Sequence, residues 1–272
     1  MNKNMNKNLK KWGYEETGKK LGSRIDIHKN FAEKDIDAWT LGMVKINGNE
    51  KILDLGCGDG KQVMAFGKKL TEGGKIVGCD ISNELLEKAR KSAKKNSINA
   101  SFLLHDIDRP FPFKDGEFDI VSSFFSIYYA KNPLNVMLEI KRLLKEGGRL
   151  FVAGPTPNNT REFWELHSKI INRKIPQVCL DRRARIHDVF LPLIRKYFKN
   201  TKISIFKNII HFPSYEELIR YYSSSLLLEE SSEDKEEKKM FLDKMKKEAG
   251  KIIKKNGVFD MEKEVYGILA FK

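Results

Sequence analysis

Ile52-Leu53-Asp54-Leu55-Gly56-Cys57-Gly58-Asp59-Gly60 (ILDLGCGDG) decides how the rest of the chain is read. Its apolar residues, interrupted by Asp54, read as the end of a buried strand, and glycine then recurs at every second position. Glycine adopts positive φ without steric cost and lets a ligand approach the backbone closely. A helix starting just beyond would aim free N–H groups at that ligand. The stretch therefore predicts a strand, a side-chain-free turn and a small-molecule site at the strand's carboxyl end.

Working outward, Lys51 to Leu55 is expected as a strand, Gly60 to Leu70 as a helix, and Lys75 to Asp80 as a second strand reached through Gly73-Gly74. Ser82 or Asn83 caps the next helix, with Glu84 and Glu87 in its first turn and Leu85, Leu86, Ala89 and Ala93 on one face. Ala100 to His105 and Phe118 to Ser123 read as strands three and four. Leu134 to Leu144 reads as a helix terminated by Gly147-Gly148, and Arg149 to Gly154 as strand five. Such alternation specifies a doubly wound α/β domain, because right-handed crossovers cover both faces of a parallel sheet.

Upstream, residues 1 to about 23 are polar, and Gly13, Gly18 and Gly22 are expected to interrupt any long helix. Trp12 and Tyr14 would pin this arm to the body or join a lid. One or two helices are expected between Asp26 and Lys45. Residues 1–45 thus read as an N-terminal arm with lid helices, and 46–272 as the main domain. Insertions or cap elements are expected at 155–200 and 214–255, the first holding the cluster Arg182, Arg183 and Arg185. Lys202 to Phe206 resembles a further strand, and Ser214 with Glu217 forms a capping-box pattern opening a helix to Leu228. Glu229 to Lys255 is a charged amphipathic helix ending near Gly257, and Glu264 to Lys272 a final strand.

With 272 residues, 40% of them hydrophobic, the chain can bury a sizeable core. No apolar run approaches the ~20 residues that span a bilayer, and MNKNMNKNLKKW lacks a secretory apolar segment, so cytoplasm is the expected compartment. The three cysteines, Cys57, Cys79 and Cys179, show no metal-ligand spacing and are expected as reduced thiols, with no metal bound. A net charge of +14 admits an anionic or nucleic-acid partner, but lysines scattered along the chain make compositional bias the simpler reading.

On its own the GxGxG turn is open to dinucleotide, phosphate or nucleoside ligands. A dinucleotide site would show GxGxxG, and a phosphate-gripping loop would show GxxxxGK[ST], where this chain has Gln62 at the hydroxyl position. Asp80, closing strand two, can accept hydrogen bonds from ribose hydroxyls and would repel a 2′-phosphate. Capping of the following helix is its structural alternative.

Together, DLGCGDG, Asp80, His105-Asp106-Ile107, PFPFKDGEFD from Pro110 to Asp119, and LLKEGGRL before strand five resemble a class I S-adenosylmethionine-dependent methyltransferase. The resemblance covers about Lys51 to Gly154 and implies a mostly parallel, seven-stranded, Rossmann-like sheet with an antiparallel last strand. It further implies S-adenosyl-L-methionine as cofactor. Asp54 and the backbone of Gly56, Cys57 and Gly58, in the turn closed by Gly60, would hold the methionine end, with turn N–H groups serving its carboxylate. Asp80 would take the ribose, Ile81 would pack on adenine, Asp106 and the Ile107 backbone would meet the adenine amino group, and Phe124 would lie near the methionine portion.

The transfer implied is an in-line displacement driven by proximity, for which effective molarities reach ~10⁵ M or more. An amine acceptor needs only to be neutral, whereas an alcohol or acidic carbon gains from a base. His28, Tyr128 and Tyr129 are the candidates, each with an ordinary packing role as its alternative. A small-molecule acceptor is favoured, since no aromatic residues are interleaved with the arginines as stacking platforms. An RNA or protein methyltransferase using a basic surface around Arg182–Arg185, and a non-catalytic cofactor-binding protein, are the alternatives.

Overall fold

The computed structural model describes residues 18–272, so Trp12, Gly13 and Tyr14 lie outside the described residues. The centre is a seven-stranded sheet in the order β3-β2-β1-β4-β5-β7-β6. Its strands are β1 (Lys51–Leu55), β2 (Lys75–Asp80), β3 (Ala100–Leu104), β4 (Phe118–Phe124), β5 (Leu144–Pro155), β6 (Lys199–Phe212) and β7 (Phe259–Phe271). β1 to β5 are mutually parallel where they pair, and β7 runs antiparallel to both β5 and β6. This is the doubly wound Rossmann-like sheet with an antiparallel last strand that the sequence predicts.

Two helices, α1 (Gly18–Phe31) and α2 (Ile36–Val44), precede the sheet. The crossovers are α3 (Lys61–Gly67), α4 (Asn83–Lys95) and α5 (Pro133–Leu143). Side chains alternate across the strands, as a period of two requires. Leu53, Leu55, Leu150 and Val152 enter one core with Met137 and Ile140 of α5. Ile52, Phe151 and Ala153 enter the opposite core with Val63 and Phe66 of α3 and Leu86 of α4. Both faces are therefore buried, which is why β1 reads as an almost continuous apolar run.

Beyond Pro155 come α6 (Arg161–Ile171), α7 (Gln177–Arg185) and, after a π-helical turn at Ile186–Phe190, α8 (Leu191–Tyr197). Between β6 and β7 lie α9 (Tyr215–Ser223), α10 (Leu226–Ser231) and α11 (Lys235–Asn256). β6 pairs with β7 along its whole length, whereas β5 pairs with β7 only as far as Pro155↔Val265. The hairpin from Phe206 to Phe212 and Phe259 to Glu264 thus projects past the carboxyl edge of the parallel strands. Ile210, Phe212 and Met261 at its tip form a third core with Ile27 of α1, Phe163 of α6, Tyr222 of α9 and Phe241 of α11. This core roofs the edge where the glycine turn lies.

Several local expectations change. Gly22 lies inside α1 rather than interrupting it, and Gly18 is the first described residue of that helix. A helical glycine costs only ~1 kcal/mol relative to alanine, and burial of Ile27 (0% exposed) outweighs that. Gly147-Gly148 does not end a helix: α5 stops at Leu143 and β5 begins at once, with a register irregularity between Phe118 and Ile120 accommodating the glycines. The helix opened by Ser214, whose hydroxyl accepts from Glu217 N, is split because Ser225 caps a second helix by accepting from Leu228 N. The long charged helix begins at Lys235, capped by Asp234, and closes at Gly257 with φ +82°. Among the described residues, no helix is long and apolar enough to cross a membrane.

Candidate active site

The glycine turn is built as its sequence requires. Gly56, Gly58 and Gly60 have φ of +66°, +57° and +85°. A Cβ on Gly56 would stand 2.4 Å from Ser126 Cβ, so a side chain there would displace the loop after β4. A Cβ on Gly60 would meet Ala89 of α4 at 2.9 Å, and Gly60 alone among the expected cofactor residues does not line the cavity described below. Its glycine serves packing between α3 and α4.

Asp54 lies under this turn, 1% exposed, accepting from Ser122 Oγ at 2.7 Å. Burial raises its carboxyl to about 7, and nearby Asp80 adds to the rise. A desolvated carboxylate with no basic partner at hydrogen-bond distance among the described residues is a site prepared for a cation. Asp80 Oδ2 accepts from Gly58 N and Oδ1 from Ser82 N, both at 2.8 Å. It ties the turn to the start of α4, while Ser82 itself is the helix cap.

The turn amides are less free than the resemblance implies. Cys57 N donates to Cys79 O at 2.8 Å, and Gly58 N is held by Asp80. These two N–H groups are engaged within the protein, so a ligand carboxylate must find its donors elsewhere. Ser123 and Ser126, 2.6 Å apart through their hydroxyls, both bond Leu55 O and lock the loop after β4 against the turn. Phe125 in that loop has φ +51°, an uncommon conformation for a bulky residue.

All of this opens into one cavity of about 990 Å³ at the carboxyl edge. Asp54, Gly56, Cys57 and Gly58 line it beside Asp80 and Ile81, and Asp106, Ile107 and Phe124 complete that wall. Ile81 is 55% exposed, an apolar ledge at the rim. The rest of the lining comes from α1, α6, α7, α10 and β7, and the cavity takes in the three suggested bases, His28 on α1 and Tyr128 and Tyr129 in the turn after β4. Burial holds His28 well below 6.5, with Lys263 as the next cause, and holds the Tyr128 hydroxyl well above 10. Tyr128 therefore stays protonated and can donate a hydrogen bond but is a poor base. His167 is fully buried between Tyr222 OH (2.7 Å) and Ser231 Oγ (2.9 Å), a structural histidine.

Two arginines of the basic cluster are buried rather than displayed on the surface. Arg182 and Arg185 are each 7% exposed; Arg182 pairs with Glu230 at 2.5 Å, and Arg185 donates to Ala130 O. Arg183 stacks over Trp164 at 4.7 Å to the ring centroid. These arginines brace α7 against its neighbours and the cavity, which removes the exposed track that phosphate binding requires. The PFPFKDGEFD loop also stands apart from the cavity. Arg142 of α5 clamps it through Phe111 O, Phe113 O and Asp115, so its role is to fix β4 to α5. Among the described residues no group of three His, Cys, Asp or Glu side chains could hold a metal ion.

A family model described as a methyltransferase domain matches residues 46–257. The chain belongs to the methyltransferase-domain family. Over 110 residues it is 34% identical to an uncharacterised methyltransferase of Schizosaccharomyces pombe, covering 38% of this chain and 39% of that protein. Over 140 residues it is 28% identical to a demethylmenaquinone methyltransferase of Bacillus cereus, covering 49% of this chain and 59% of that protein. The chain thus spans 39% and 59% of those two relatives' lengths. A provisionally assigned methyltransferase of Bacillus halodurans C-125 shares the fold with a TM-score of 0.61 at 21% identity, over 87% of this chain and 98% of that one. S-adenosylmethionine is the cofactor that the sequence resemblance implies.

The donor set fits that cofactor. A buried, unneutralised Asp54 suits an ammonium, the Gly56 and Gly58 positions admit a ligand where a side chain would fill the space, and Asp80 presents an acidic acceptor. Sequence reasoning missed Ser122, Ser126, Arg24 and Lys263. Only Lys263 left a local trace, since it shares a strand face with Met261 and Val265.

Proposed function

We propose that this methyltransferase moves a methyl group to a nitrogen, oxygen or carbon nucleophile of a small organic acceptor. The carrying observation is the cavity, whose volume lies at the upper end of the ~300–1,000 Å³ range of small-molecule sites. It has room for a cofactor along the strand edge and a second molecule under the helices.

When bound, S-adenosylmethionine supplies a methyl group on a sulfonium. Asp54 would take its ammonium, Asp80 its ribose hydroxyls, and Ile81, Asp106 and Ile107 its adenine, with Phe124 beside the methionine portion. The residues 1–45 arm and the cap elements at 155–200 and 214–255 would enclose the acceptor. Leu21 of α1, whose Cδ2 lies 3.3 Å from where a Gly58 Cβ would stand, covers the turn and helps exclude water. Alignment rather than a strong base is what this site offers, since His28 is held neutral and Tyr128 protonated.

S-adenosylhomocysteine is expected to raise the melting temperature while NAD does not, and radiolabelled methyl should pass to members of a small-molecule panel. Stabilisation by NAD alone would sink the cofactor assignment, and labelling of RNA alone would sink the acceptor assignment.

A further inference from the structure

Lys263 occupies an unusual place. In β7 it lies two residues beyond Val265, the partner of Pro155 at the end of β5, so the antiparallel strand carries it over the carboxyl edge and into the cavity wall. Its Nζ stands 2.9 Å from His28 Nε2 and 4.8 Å from the centroid of the Phe125 ring. No carboxylate lies within ion-pair distance of it among the described residues. The acidic groups nearby are engaged elsewhere: Asp37 with Lys61 at 2.7 Å, Glu230 with Arg182, and Asp80 with two backbone amides. Asn208, its register partner on β6, is taken by the Lys34 backbone.

An ammonium enclosed by a neutral imidazole and an aromatic ring, without a counter-ion, is poorly compensated for its lost hydration. Burial, with Lys61 and Arg24 adding to it, lowers the Lys263 amine to about 7. A ligand anion would supply the missing partner. Lys61 is already offset by Asp37. The engaged amides of Cys57 and Gly58 sharpen the point, because a carboxylate entering here cannot rely on them.

We propose that Lys263, oriented by His28 and Phe125, is the receptor for the carboxylate of a small molecule bound in the cavity. The inference rests on the methyl-transfer reading. Two sources share this chemistry: the amino-acid end of the cofactor, or an acidic acceptor whose body lies among Phe163, Trp164, Tyr129 and Tyr221.

Calorimetric titrations of the wild type, Lys263→Met and Lys263→Arg with S-adenosylhomocysteine and with methylthioadenosine, which lacks the amino-acid end, test the first source. Benzoate and its neutral isostere benzamide, titrated into the S-adenosylhomocysteine complex, test the second. Loss of the ion pair in Lys263→Met is expected to weaken the carboxylate ligand roughly 30-fold while sparing its uncharged counterpart. Lys263→Arg, which keeps the cation, should retain most of the binding. A loss confined to S-adenosylhomocysteine assigns the carboxylate to the cofactor, and a loss confined to benzoate assigns it to the acceptor. Unchanged affinity for both in a Lys263→Met protein that melts at or above the wild-type temperature overturns the receptor. Failure of wild-type protein to bind S-adenosylhomocysteine at all would instead overturn the methyl-transfer reading.

Discussion

Asp54 joins sequence to function at the scale of one residue. Its carboxyl, ordinarily near 3.8, is raised to about 7 by burial, so the folded chain holds a proton that the unfolded chain has released. Between about pH 4 and 7 the ligand-free fold therefore loses stability as pH rises. A ligand ammonium needs the ionised form, so S-adenosylhomocysteine affinity should fall about tenfold per pH unit below about 7. Titration calorimetry from pH 5 to 8 checks this, with Asp54→Asn expected to bind weakly and without that slope. A flat wild-type profile would remove Asp54 from the ammonium site. Asp54 and Asp80 were legible because the glycine motif and the strand end mark them locally. Ser122 was not, and Lys263 showed only as a lysine on an apolar strand face, since their meaning comes from partners 68 and 235 residues away in the chain.

Among the elements, α1 is held unevenly. Its last turns bury Ile27 and pack Phe31 into the third core. Its first turns carry an exposed Lys20–Glu229 pair at 3.1 Å, a kind of contact worth ~0–1 kcal/mol. Arg24 adds a bond to Ser224 O at 2.6 Å near the middle. Amides of the first two turns should accordingly exchange hydrogen faster than those near Ile27, and S-adenosylhomocysteine should slow them as Leu21 closes on the turn. Equal exchange along α1 with no response to ligand would rule out a lid. The same contrast explains what could be read in advance. β1 and β2 were bounded correctly because strands buried on both faces leave a dense apolar run. β6 runs from Lys199 to Phe212 although only Lys202 to Phe206 read as strand, because its edge position leaves Lys199, Asn200 and Lys207 exposed and polar. The helical glycines of α1 misled for the opposite reason, since tertiary burial rather than propensity decides that helix.

For the whole molecule, the net charge of +14 is a property of the surface and need not belong to the site. The arginine cluster that seemed to concentrate it is folded inward, where Arg182 answers Glu230 and Arg183 covers Trp164. Many surface lysines are paired as well, among them Lys169 with Glu248 and Lys207 with Glu264. What is left is diffuse attraction, which acts on any polyanion and is screened over about 8 Å at physiological salt. Binding of a 20-nucleotide RNA should therefore fall in the non-specific range of about 10⁻⁴–10⁻⁶ M and weaken steeply with salt. Fluorescence anisotropy across a salt series measures both quantities, and Arg183→Ala should leave them unchanged because that side chain faces the cavity wall. Submicromolar, salt-resistant binding that Arg183→Ala abolishes would make the cluster a recognition surface after all, and the acceptor a nucleic acid.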